Sequence, residues 1–219
     1  MNWSVLDWHE IGQAVVDTVT MSGFSLLFTI VLGLPLGVAM FLTAKGRLMP
    51  QSGLYALLSL VVNFLRSVPF VILLILMIPL TVWLIGTSIG VAGAVPPLVA
   101  AAAPFYARLV ENVLREVDHG VVEACLAMGA RRRQIVLFAL LPEALPGLLA
   151  AATVTGVALV SYSAMAGAIG GGGLGDLAIR YGYQRFEIEV MVVTVALMVL
   201  LVQLLQWAGD RLVLHFSRR

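Results

Sequence analysis

The sequence predicts an all-α integral membrane protein of about five transmembrane helices. Three observations carry that prediction. The 219 residues are 61% hydrophobic and only 11% charged, with a mean hydropathy of +1.02. Soluble domains average about 45–50% apolar and about 25% charged residues, and a chain of this length must also cover its own surface. Charge-free runs punctuate the chain at lengths that suit membrane crossings, and the basic residues between them fall mainly on one side.

The first run, Thr18–Ala44, is uncharged for 27 residues, and a helix needs about 20 to cross the hydrocarbon core. Before it, MNWSVLDWHEIGQ has no basic n-region and carries Asp7 and Glu10, so it does not read as a cleavable signal. Residues 1–17, with Trp3 and Trp8 beside Val5 and Ile11, are expected to form an extracytoplasmic segment at the membrane interface, where indole rings settle.

Ser67–Ala107 is uncharged for 41 residues and suits two crossings joined by a turn at Gly86–Pro97. The first of these must begin before Arg66, and it is expected as one long or broken helix kinked near Pro69. Ala144–Gly175 and Val190–Gly209 supply the last two runs. The expected spans are 18–43, 54–81, 90–110, 142–166 and 189–213, with residues 18–213 forming one transmembrane domain and 214–219 a tail.

Five spans place the first loop, the third loop and the C-terminus on one side. These hold Lys45 and Arg47; Arg108, Arg115 and Arg131–Arg133; and Arg211, Arg218 and Arg219, ten of the thirteen basic residues. The excess marks the cytoplasmic side, leaving the N-terminus outside. Arg66 is left inside the membrane, at an insertion cost of about 2.5–3.5 kcal/mol for a central position. It is expected either to pair within the protein interior or to reach an interface.

The chemistry legible in the sequence is sparse. Net charge is +1, which offers no basic field for nucleic acid. The single cysteine, Cys125, and three scattered histidines give no zinc-ligand spacing. Gly170, Gly172 and Gly175 formally satisfy a G-x-G-x-x-G pattern, but a membrane helix rather than a strand precedes them. The run GAIGGGGLGD (167–176) therefore reads as a flexible re-entrant or gate loop, and no G-x-x-x-x-G-K-[ST] follows anywhere. Small-residue spacings at Gly33/Gly37, Gly86/Gly90 and Gly167/Gly171 offer close helix approach.

The third loop, 111–142, reads as a short helix, a glycine stop at Gly129, and a second helix ending before Pro142. Val121, Val122, Cys125, Leu126 and Met128 would form one apolar face, suited either to a soluble partner or to lipid headgroups.

Glu123-Ala124-Cys125, Gly129 after three residues, and Leu141-Pro142 twelve positions on resemble the EAA loop of binding-protein-dependent ABC importer permeases. Cys125 replaces the third small residue and Ala139 the isoleucine of that pattern. RSVPFVILL (66–74), AAPFYARLVENVL (102–114) and SYSAMAGAIGGGGLG (161–175) are similar to the methionine-importer branch.

The resemblance implies a type I importer permease fold in the bacterial inner membrane, with 111–142 a coupling loop. It implies a homodimer bound to two ATP-binding subunits and an extracytoplasmic methionine-binding lipoprotein, importing L-methionine and also the D-form. ATP and Mg2+ would be used by the partner ATPase, and this chain would bind no cofactor and catalyse no reaction. Glu123, Ala124, Cys125, Gly129, Arg131, Leu141 and Pro142 carry over as the docking residues.

Tyr162, Ser163, Met165 and Arg66 are candidates for the translocation path or gate, a soft thioether suiting a small apolar solute. Ordinary helix packing is the competing reading for Met165. A permease for another small solute and an ATP-independent transporter remain the alternatives. The latter predicts intramembrane ionisable pairs, of which the spans offer only Arg66.

Overall fold

The computed structural model describes residues 7–217, and among them there are helices and turns but no strand. Helix α1 (Trp8–Thr43) begins where the Asp7 carboxylate accepts the backbone N–H groups of His9 and Glu10. It therefore starts ten residues before the expected span, and Trp8 and Ile11 belong to its first turns. The expected interfacial roles of Trp3 and Val5 lie outside the described residues.

Helix α2 (Ser52–Ser67) follows a short loop, then α3 (Phe70–Leu76) and α4 (Ile78–Ile85). The expected kink is a full break: α2 and α3 meet at 102°. Val68 is extended (φ −78°, ψ 125°) because the ring of Pro69 bars the residue before it from the helical region. Met77 divides α3 from α4, and Pro79 sits in the first turn of α4, where its missing N–H costs no helical bond. Sixteen residues of α2 rise only about 24 Å, short of a roughly 30 Å hydrocarbon core. Among the described residues four helices are long and apolar enough to cross a membrane, or five if the bent α2–α3 pair counts as one span.

The turn into α5 (Gly90–Glu116) is shorter than expected. It occupies residues 86–89, and Pro96, Pro97 and Pro104 lie inside the helix. α5 is the central post, packed by α1, α2, α3, α4 and α8. Its close approach to α1 rests on the Gly33/Gly37 pair. A Cβ at Gly37 would stand 2.5 Å from the Ala107 carbonyl oxygen and 2.6 Å from Val110 Cβ. Gly86 and Gly90 serve differently, as left-handed turn residues with open space around them.

Helix α6 (His119–Ala127) leaves α5 after two residues. The next helix does not stop before Pro142. It starts as α7 (Arg132–Ile135), widens to a π-helical stretch over Val136–Leu140 and continues as α8 (Leu141–Gly167). Pro142 and Pro146 cannot donate to the preceding turn, and their rings crowd carbonyls four residues back. The wider π turn just before Pro142 absorbs the mismatch there without ending the helix, and Pro146 is accommodated within α8.

After Gly167 the chain turns into α9 (Gly173–Leu177), a second π-helical stretch (Ala178–Tyr183) and α10 (Ile188–Ser217). Four of the six residues assigned to a C-terminal tail thus continue α10. The glycine run is packed rather than loose. Gly171, Gly173, Leu174 and Gly175 are buried, and the Leu174 N–H donates to the Thr18 hydroxyl at 2.8 Å. Gly173 has φ +79°, and a Cβ there would lie 2.6 Å from that same hydroxyl. The Gly167/Gly171 spacing packs this loop upon itself, against Asp176 and Ala166, rather than joining two helices.

Candidate functional site

The residues predicted to dock a partner gather on and after α6. The Asp118 carboxylate caps α6 by accepting the Gly120 N–H at 2.8 Å. Gly129 ends it with φ +77°, and the Ala130 N–H returns to the Cys125 carbonyl at 3.0 Å. The Arg131 N–H then donates to Gln134 Oε1 at 2.8 Å, starting α7. Two stops within a few residues isolate α6 as a separate surface rod.

No residue of α6 is buried, and the helix turns only one side inward. Val122 and Cys125 pack against the core cluster that contains Phe41, Leu114, Ile135 and Leu140. Glu123, Ala124, Leu126, Ala127 and Met128 face outward, with Met128 77% exposed. The expected apolar face is thus only partly covered: Val122 and Cys125 at its centre meet the core, while Leu126 and Met128 at its edges stay exposed. Glu123, Ala124, Gly129 and Arg131 are all exposed, on α6 or in the turn that follows it. Leu141 instead packs half-buried on the core, and Pro142 lies past the π turn.

Beside the outward face is a cavity of about 370 Å³, lined among others by Arg47, His119, Glu123, Leu126 and Arg132. Arg47 Nη1 lies 3.2 Å from His119 Nε2 and 3.4 Å from Nδ1, and only one nitrogen of a neutral imidazole can accept. Its guanidinium also stacks on Phe41 at 4.7 Å. Burial, and secondarily repulsion from Arg115, hold Arg47 below its ordinary range.

A second cluster was missed in the sequence. Glu111 is fully buried, and its carboxylate accepts from Arg108 at 2.5 Å, Arg115 at 2.6 Å and the Tyr55 hydroxyl at 3.1 Å. Arg108 also donates to Ser59 Oγ and Asn63 Oδ1, each at 2.9 Å. α5 is thereby clamped to α2 just before the chain enters α6. Arg108 already lay within the expected span 90–110; α5 runs six residues past that end and so brings Glu111 and Arg115 onto the same helix. The spacing of Arg108, Glu111 and Arg115 at i, i+3 and i+7 was the available signal, since such residues share a helix face.

The path candidates do not form one constellation. Arg66 occupies the last turn of α2, exposed and in no ion pair among the described residues. It borders a cavity of about 140 Å³ with Phe105 and Tyr162, whose ring stacks on Phe70 at 4.8 Å. Ser163 is buried and donates to the Val160 carbonyl at 2.8 Å. Met165 is on another face of α8, 46% exposed, in an apolar groove of about 620 Å³ shared with Val71, Met198 and Val202. At the same end, Arg180 bridges Asp176 at 2.8 Å and Glu10 at 3.0 Å, fastening the glycine loop to the start of α1.

Comparison with known proteins adds to this geometry. Residues 30–219 match the family described as binding-protein-dependent transport system inner membrane component. A probable D-methionine transport system permease protein MetI from Vibrio cholerae is 46% identical over 217 residues, covering 99% of this chain and 96% of the relative. The methionine import system permease protein MetP of Bacillus subtilis is 44% identical, covering 94% and 92%. A solved structure of the MetNI methionine ABC transporter in an inward-facing conformation superposes with a TM-score of 0.95 at 47% identity, covering 99% of each chain.

Proposed function

Because the chain belongs to the binding-protein-dependent transport system inner membrane components, we propose that it is the permease subunit of an ATP-driven methionine importer. The observation that carries this reading is the likeness to methionine permeases over nearly the whole chain, including the α6 region. α6 is tethered to the central post by two residues and exposes Glu123, Ala124, Leu126 and Met128 for a partner.

In this reading two copies assemble, since an ATPase pair presents two equivalent grooves and each chain has one α6. The α6 end faces the cytoplasm, and the glycine-loop end meets a methionine-binding lipoprotein outside. ATP and Mg2+ stay on the partner subunits, and this chain hydrolyses nothing. Glu123 and Arg131 contribute charge to the docking contact, Ala124 and Gly129 allow close approach, and Cys125 holds α6 to the core. Leu141 and Pro142 brace the helix behind it. Closure of the ATPase pair shifts the population between inward- and outward-open states by its differential affinity for them. Arg66, Tyr162 and Met165 border the solute path, and Ser163 supports it from within α8.

The test is ATP-dependent methionine uptake by the chain reconstituted with its ATPase and binding protein. Both enantiomers should be accumulated, and Glu123→Lys should abolish uptake while the permease still folds and dimerises. Uptake that persists without the ATPase, or that polar amino acids suppress better than methionine, would reject the assignment. Met165→Ala is read in the same assay, where unchanged uptake and coupling removes it from the path.

A further inference from the structure

Of the three consecutive arginines at 131–133, two line an apolar groove. Arg132 and Arg133 rim a cavity of about 420 Å³ floored by Leu42, Met49, Val136 and Leu137. Its volume falls within the roughly 300–1,000 Å³ of small-molecule sites. Both arginines are exposed and neither has an ion-pair or hydrogen-bond partner among the described residues. Glu123 lines the neighbouring cavity with Arg132, but no carboxylate lines this one.

We propose that this groove holds an anionic phospholipid, with its phosphate between Arg132 and Arg133 and an acyl chain along Leu42, Val136 and Leu137. The head of the site matches the ligand in charge: a guanidinium presents a planar fork of donors to phosphate oxygens, and two unpaired arginines line the one groove. The floor matches it in polarity. The groove is lined by Leu137, 56% exposed, on a helix, residues 132–167, long and apolar enough to cross a membrane. A soluble protein partner does not reach an apolar slot that continues into the bilayer, whereas a lipid occupies both parts at once. Basic pockets beside membrane helices suit anionic headgroups on general electrostatic grounds.

The full-length protein, released from vesicles of equal phosphatidylglycerol and phosphatidylcholine, should retain phosphatidylglycerol preferentially in native mass spectrometry. Arg133→Gln should lower that retention about five-fold and the Arg132→Gln/Arg133→Gln double variant about thirty-fold, with phosphatidylcholine unchanged. Both side chains are exposed, and the melting temperature of each variant checks that it remains folded. Arg185→Gln at the opposite end should change neither lipid. The proposal is overturned if the double variant retains phosphatidylglycerol normally, or if both lipids fall together. It is equally overturned if the double variant loses capture of the ATPase subunit while its lipid retention stays normal.

Discussion

The two ends of the helical bundle are fastened by different means. At the α6 end a fully buried carboxylate, Glu111, is gripped by two arginines and a phenol, and the grip joins α5 to α2. At the glycine-loop end the ion pairs of Arg180 with Asp176 and Glu10 lie partly open, the carboxylate side chains being 28% and 35% exposed. Tightness there comes from backbone, with Gly173 against Thr18 and Gly175 against Ala164. The first arrangement concentrates stability in one polar knot beside α6. The second spreads it over many small contacts, none of which carries much electrostatic energy.

That contrast is open to direct test. Glu111→Ala leaves two guanidinium groups without their shared carboxylate, one of them 18% exposed, and breaking such a buried pair costs about 3–5 kcal/mol. We expect a large drop in the melting temperature of the detergent-purified protein. A small drop would show that Tyr55, Ser59 and Asn63 hold α2 without the charge. Gly37→Val should come next. Its branched side chain meets the Ala107 carbonyl and Val110, so α1 must move away from α5, at about 1–3 kcal/mol. Arg180→Gln should have the smallest effect, under about 1 kcal/mol, because half-exposed pairs gain little over hydration. An effect of Arg180→Gln as large as that of Glu111→Ala would erase the distinction between the two ends.

Much of the fold was legible because lipid imposes a simple rule: long uncharged runs become helices. The runs at 18–44, 144–175 and 190–209 and the break at Pro69 were readable on that basis. The bend angle was not, since Val68–Pro69 requires an interruption without setting its 102° direction, which depends on packing against α5 and α8. Pro142 misled for a related reason. A proline ends a helix in water, but a π turn placed just before it lets the helix continue. At the α6 end, Glu123, Ala124, Gly129 and Arg131 are singled out by their motif, whereas Glu111 was counted only as part of a loop. Its significance depends on α2 lying against α5, a long-range contact that local spacing could only hint at. The path candidates were the least readable as a group, because nearby positions on α8 face different neighbours: Tyr162 toward Phe70, Ser163 inward and Met165 toward α10.

The uninterrupted run from Arg132 to Gly167 has a mechanical consequence. Thirty-six residues at about 1.5 Å each make a beam about 54 Å long, nearly twice the hydrocarbon thickness. One end stands next to α6, and the far end carries Met165 and the start of the glycine turn. A tilt of about 10° pivoting at the α6 end sweeps the other end through about 9 Å, given that length. Displacement can thus cross the whole bundle along a single covalent strut, with no relay of side chains between its ends. The π turn at Val136–Leu140 is where that strut is wound most loosely, and so where it has its natural elbow.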